Sequence, residues 1–218
     1  MPLMMVLVLL GCDEGPTGAW ALDYAGQPDC VSVVDAPALN PPFTVELWAR
    51  LDPEAAPAER PLLSWQGLVE LRFDEQDMLG VYLENVLVSA YAVPLDRGVD
   101  HHLTVTYDAA DLRLYVDGAV VTLAAIEYDG TPGSTLYIGC NRGAEAFWGV
   151  LDELRISSTA RYADTFLVPA DPHQPDPDTL LLFPFDEGEG ETATDLVSGV
   201  VATVAGPTWI SGNLGKKP

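Results

Sequence analysis

HHLTVTYDAADLRLYVDG, residues 101–118, is the stretch whose reading decides the fold. Leu103, Val105 and Tyr107 alternate with His102, Thr104 and Thr106. Past Asp108-Ala109-Ala110-Asp111 the alternation resumes, with Leu112, Leu114 and Val116 set against Arg113 and Tyr115. A period of two puts successive side chains on opposite faces of a half-buried strand. The pattern therefore predicts two strands joined at the Asp108–Asp111 turn. Asp117-Gly118 tolerates the positive φ angles of a tight hairpin, so Val120 and Thr122 start a third strand running back.

The same alternation recurs on both sides. Phe43, Val45, Leu47 and Ala49 share one strand face, with Thr44, Glu46 and Trp48 on the other. Short strands are predicted at 30–34, 62–65, 68–73, 79–83, 86–91, 136–139, 147–157, 179–185, 200–204 and 207–210. Turn-forming runs such as Asp74-Glu75-Gln76-Asp77 and Glu84-Asn85 separate them, while Asp35–Pro42, Asp52–Pro61 and Asp171–Asp178 are proline-containing loops. Many short strands punctuated by turns make an all-β, two-sheet sandwich. A chain of 218 residues that is 48% hydrophobic builds one such domain with a sizeable core. Ten Lys and Arg against 33 Asp and Glu give a net charge of −23, which repels phosphate backbones and excludes nucleic acid as a partner.

The 101–118 hairpin, taken with FTVELWARL (43–51), LYIGCN (136–141), GVLDELRIS (149–157), ARY…F (160–166) and FDEGEGETATD (185–195), resembles the laminin G-like domains of the concanavalin A-like lectin/glucanase superfamily. The resemblance runs from about residue 20 to 210 and implies a two-sheet antiparallel jelly roll. It places the domain at 19–212 with a tail at 213–218, and a short turn or single-turn helix at 160–169.

The opening MPLMMVLVLLGC is apolar and too short to span a bilayer. Leu9-Leu10-Gly11-Cys12 resembles the lipobox of bacterial lipoproteins. That likeness implies a signal peptide at 1–11, lipidation of Cys12, a tether at 12–18, and an extracytoplasmic domain anchored to the outer membrane or cell surface only through its lipid. With Cys12 lipidated, Cys30 and Cys140 remain in a compartment where disulfides persist. A bridge between them would close a loop of about 110 residues, worth roughly 4 to 5 kcal/mol in the chain-entropy model. Two unpaired buried thiols are the alternative.

In 147–157 the alternation places Val150, Asp152, Leu154 and Ile156 on one face and Leu151, Glu153 and Arg155 on the other. An acid on an apolar face needs a partner. In related sandwiches an acidic residue here helps hold structural calcium, so the resemblance makes Asp152, with Asp23 from the first strand, the candidate calcium ligands. The alternative is carboxylates satisfied without metal. Trp48 is the candidate sugar-stacking ring by the same analogy, against a packing role. DEGEGE at 186–191 lacks the spacing of an EF-hand loop and is read as a solvated turn.

No Glu-x-Asp-x-x-Glu segment of the kind used by hydrolases of the superfamily occurs, and a strand would point Asp152 and Glu153 to opposite faces. The three histidines have no metal-ligand spacing, and His101-His102 is read as structural. The expectation is a non-catalytic, lipid-anchored module binding carbohydrate. An adhesive surface protein that binds other proteins, and a degenerate hydrolase, are the alternatives.

Overall fold

The computed structural model describes residues 19–65, 69–83, 86–128, 135–141, 145–212 and 214–215. Cys12, the signal peptide, the tether and most of the 213–218 tail lie outside the described residues. The strands in chain order are β1 (Trp20–Ala25), β2 (Cys30–Val33), β3 (Phe43–Leu51), β4 (Arg60–Trp65), β5 (Val69–Phe73), β6 (Leu79–Leu83), β7 (Val86–Ala90), β8 (His101–Tyr107) and β9 (Asp111–Val116). They continue as β10 (Ala119–Ala125), β11 (Leu136–Ile138), β12 (Cys140–Asn141), β13 (Glu145–Ala146), β14 (Trp148–Ser157), β15 (Thr179–Phe183), β16 (Thr192–Thr194), β17 (Val201–Ala205) and β18 (Thr208–Ser211).

Two antiparallel eight-stranded sheets stack face to face. The first runs β10-β9-β8-β3-β14-β1-β18, with β15 also paired to β14, and the second runs β16-β17-β2-β11-β4-β5-β6-β7. The 101–118 stretch forms the predicted hairpin, with Leu103 opposite Val116 and Tyr107 opposite Leu112. Asp117 and Gly118 take φ of 51° and 77°, which joins β9 to β10 through a turn with two left-handed residues. Val45, Leu47, Leu103, Val105 and Leu114 from the first sheet meet Val31, Leu63, Leu71, Val81 and Ile138 from the second. Each such side chain contributes about 1.5–3 kcal/mol on full burial.

Strand β14 departs from simple alternation. Its register against β3 slips between Asp152 and Arg155, and Glu153 has φ 49°, which marks a β-bulge. The extra residue rotates the strand, so Leu151, Leu154 and Ile156 enter the core while Val150 packs outside it with Ala21, Trp48, Ile210 and Leu214. Asp152 and Glu153 both reach the outer side, where they accept the N–H groups of Leu214 and His173. The expected faces are corrected accordingly: Asp152 is not on the face of Leu154 and Ile156, nor opposite Glu153.

Residues 158–178 form a strap across the outer face of the first sheet. No helix occurs among the described residues, and 160–169 is irregular because its backbone bonds to the sheet instead of to itself. The Arg161 N–H is donated to Thr44 Oγ1 (2.9 Å), the Phe166 N–H to the Gly118 carbonyl (2.9 Å), and the Tyr162 carbonyl accepts the Tyr115 hydroxyl (2.8 Å). Tyr162 and Phe166 stack at 3.6 Å between ring centroids, and Phe166 meets His102 edge-on. A Cβ on Gly118 would lie 2.2 Å from the Phe166 carbonyl oxygen, so the strap seats closely only over a glycine. Beneath it Thr44, Glu46, His102, Thr104, Thr106, Arg155 and Ser157 form a buried polar layer.

Candidate functional site

Asp152 is fully buried, with Oδ1 accepting the Glu153 N–H (2.9 Å) and Oδ2 the Leu214 N–H (3.0 Å). Burial, reinforced by Glu153 and Asp186, raises its pKa to about 8. With both oxygens committed to backbone donors, the carboxyl is satisfied without metal, as the alternative reading allows. Asp23 lies opposite Val150 in register, and its carboxyl is raised by burial and by Asp52, with Arg50 opposing. The two acids have different neighbours and do not form the expected calcium pair.

Trp48 is opposite Asp152 across β3 and β14, and the C-terminal turn covers it: Leu214 is buried against it and Gly215 lies on its indole. The Gly215 N–H is donated to Asp100 Oδ2, and Arg50 holds the other oxygen of Asp100. Trp48 therefore packs under a clasp and does not offer a sugar-stacking face, which corrects the second expectation. Cys30 and Cys140 are bridged, with Cα atoms 5.3 Å apart, and unpaired thiols are excluded.

The polar layer under the strap is electrostatically constrained. Burial, with Arg155 adding, lowers His102 to about 4; for His173, burial comes first, then Arg155 and His102, lowering it to about 3. Burial raises the pKa of Glu46, opposed by Arg155, whose Nε bonds Glu46 Oε1 at 2.8 Å.

The open site is at the rim, where β1 turns into β2 and β14 begins. A cleft of about 550 Å³ there is lined by Gln27, Glu59, Glu75, Glu145 and Trp148, among others. Trp148 opens β14 opposite Ala25, the last residue of β1. Next to it Gly149 takes φ 143°, and a Cβ there would lie 2.1 Å from the Arg50 carbonyl oxygen. Only glycine lets the strand enter the sheet at this point, and it leaves the preceding indole outside the core. At 37% exposure, Trp148 is the one aromatic among the exposed large apolar side chains of the described residues.

Glu145 faces the indole's cleft from β13. Its Oε2 accepts the Asn141 amide at 2.7 Å, its own N–H is donated to Asn141 Oδ1, and burial followed by the charge of Glu59 raises its pKa. Glu59 also lies 3.4 Å from Arg72, which sits 3.8 Å over the Tyr82 ring and 3.2 Å from Glu70. The polar chain then continues over the second sheet, where Tyr137, Ser64, Glu70 and Tyr82 stand in one register row. The sequence reading passes over Trp148 inside its 147–157 strand, although an aromatic immediately before glycine at a strand entry is the available signal. Glu59 and Glu145 gave no signal, since loops far apart in sequence supply them.

This arrangement can stack the apolar face of a ring and hydrogen-bond polar substituents around it. Glu59 is close enough to raise the pKa of Glu145, second only to burial.

A proposed carbohydrate-binding protein from Bacteroides ovatus superposes with a TM-score of 0.70 at 19% identity, over 92% of this chain and 62% of its own. The chain thus spans about 62% of that protein's length. A heptameric SAP-like pentraxin from Limulus polyphemus gives 0.63 at 10% identity, over 90% of this chain and 96% of its own. The CBM40 module of the Ruminococcus gnavus IT-sialidase, bound to α2,3 sialyllactose, gives 0.52 at 11% identity, over 66% and 91%. At these identities the likeness is one of fold, and no curated protein matches the chain. The model of the concanavalin A-like lectin/glucanases superfamily, of laminin G type, matches residues 26–165. With the expected stacked sheets in place and most of the chain matched, this protein belongs to the concanavalin A-like lectin/glucanases superfamily.

Proposed function

We propose that the domain is a non-catalytic carbohydrate-binding module whose glycan seats in the rim cleft against Trp148. The observation that carries this reading is the exposed indole at the mouth of a cleft edged by Gln27, Glu59, Glu75 and Glu145. Stacking provides affinity without sequence-like specificity, and the surrounding carboxylates and amide orient hydroxyl groups. The structural neighbours described as carbohydrate-binding support the same reading. The lack of a Glu-x-Asp-x-x-Glu segment supports binding over hydrolysis.

The domain should select a subset of glycans on an array, and Trp148→Ala should weaken that binding about tenfold to a hundredfold. Because the indole lies outside the core, the melting temperature should change by less than about 2 °C. Calcium and chelator arms belong in the same experiment. An empty array in both, or Trp148→Ala binding as wild type, overturns the proposal and turns the search to protein partners.

The proposal includes presentation outside the cytoplasm by a lipidated Cys12, supported by the Leu9–Cys12 segment and by a disulfide of the kind that persists in oxidising compartments. Cys12→Ser should release the protein from the membrane fraction; a variant that stays membrane-bound refutes the anchor.

A further inference from the structure

The geometry points to a buried transition-metal site of the zinc class, formed by Glu46 of β3, His102 of β8 and His173 of the strap. One ligand atom from each lies within 4.8 Å of the others. Nε2 of His102 and Nε2 of His173 stand 3.6 and 3.7 Å from the same oxygen, Glu46 Oε2. Both nitrogens are buried without a hydrogen-bond partner. Leaving such a nitrogen buried and unpaired is costly, and here two converge on one carboxylate.

The spacing is too long for direct hydrogen bonds. Both Glu46 edges are close to the edge of a zinc tetrahedron, about 3.4 Å for ligands at roughly 2.0–2.1 Å from the metal, and the third edge, between the imidazoles, lies within 4.8 Å, so the rings must draw together to close the site.

The surroundings fit a ligand set. Thr104 Oγ1 lies 3.2 Å from Nδ1 of His102, and an Nδ1–H donated to it leaves the Nε2 lone pair facing Glu46. Arg155 holds Glu46 by its other oxygen, Oε1, which fixes the carboxylate and leaves Oε2 facing the imidazoles. The Tyr162 hydroxyl donates to Oε2 at 3.1 Å and steadies that oxygen, and a water would complete four-coordination. Arg155 offsets the one formal anion, so two neutral imidazoles dominate. That donor set suits zinc and its late first-row neighbours over calcium or magnesium, which take oxygen cages.

Two ligands belong to the sheet and one to the strap, so binding would staple the strap down and add to folding stability. The inference is independent of the glycan reading.

The test uses the soluble domain without a polyhistidine tag. Stripped protein is titrated with Zn²⁺ while its melting is followed, and with Co²⁺ while visible absorption is recorded. One equivalent is expected to bind, Zn²⁺ to raise the melting temperature by several degrees over chelator, and Co²⁺ to give the intense ligand-field bands of a four-coordinate site. His173→Asn, on the strap, should fold yet lose at least a hundredfold in affinity. If Co²⁺ gives no such bands, or if Zn²⁺ acts identically on wild type and His173→Asn, the proposal is overturned and the triad is a dry packing cluster.

Discussion

In the presence of chelator, the melting temperature of the domain is expected to pass through a maximum near pH 6 to 7 and fall on both sides. The acid limb comes from His102 and His173. Their folded pKa values, about 4 and about 3, lie below the ordinary histidine value of 6.5. Between these values the unfolded chain binds protons that the folded one refuses. Stability is fully present above pH 6.5 and is lost as pH falls toward 4 and 3. At about 1.4 kcal/mol per unit, His102 alone accounts for on the order of 3 kcal/mol. Arg155 faces both rings and sharpens the effect, as does Arg161 at His173, while Glu46, raised by its own burial, works in the opposite direction.

The alkaline limb comes from Asp152, whose folded pKa of about 8 exceeds the ordinary carboxylate value of 3.8. Over that window the unfolded chain is ionised and the folded one is not, so stability declines as pH rises, by on the order of 5 kcal/mol in full. His102→Gln with His173→Gln should flatten the acid limb, and Asp152→Asn should remove the alkaline fall while steepening the acid limb, because its window reaches down to 3.8. A flat profile from pH 4 to 8, or an alkaline fall that survives Asp152→Asn, contradicts this account.

Replacing Cys30 and Cys140 together with alanine is expected to destabilise the domain by about 4 to 5 kcal/mol, since the bridge joins residues 110 apart. For a domain of about 200 residues that lowers the melting temperature by roughly 10–15 °C. Alanine is preferable to serine because Cys140 is fully buried and a hydroxyl there would need a partner. The bridge also ties β2 to β12, and Asn141 of β12 holds Glu145 in the cleft. The variant should therefore bind glycan more weakly even at temperatures where it is folded. A melting temperature within about 3 °C of wild type would mean that the bridge closes a loop already ordered in the unfolded chain.

The parts of this architecture that could be read in advance are those governed by local period. Leu103, Val105 and Tyr107 declare their face by alternation, as do Phe43, Val45, Leu47 and Ala49, and all are buried where expected. The Asp117-Gly118 turn was legible because few dipeptides tolerate two positive φ angles. The bulge at Glu153 was not, since one inserted residue reverses the faces without changing composition. Trp48 and Asp152 were misjudged for a related reason. Their strand positions were correct, but Leu214 and the strap turn an outer face into an interior, and nothing local in β3 or β14 records that cover. Glu46, His102 and His173 come together only through strand order and the path of the strap.

Strand β1 also sets which way the molecule faces. Trp20 pairs with Ser211, and the Ala19 carbonyl accepts the Gly212 N–H, so the chain enters and leaves the sandwich side by side. Ala25, at the other end of the same strand, lines the Trp148 cleft. Five residue steps separate them, about 17 Å of extended chain. The described chain therefore begins at the pole opposite the cleft, and under the proposed Cys12 anchor and glycan reading a support attached ahead of it would leave the cleft's mouth turned outward.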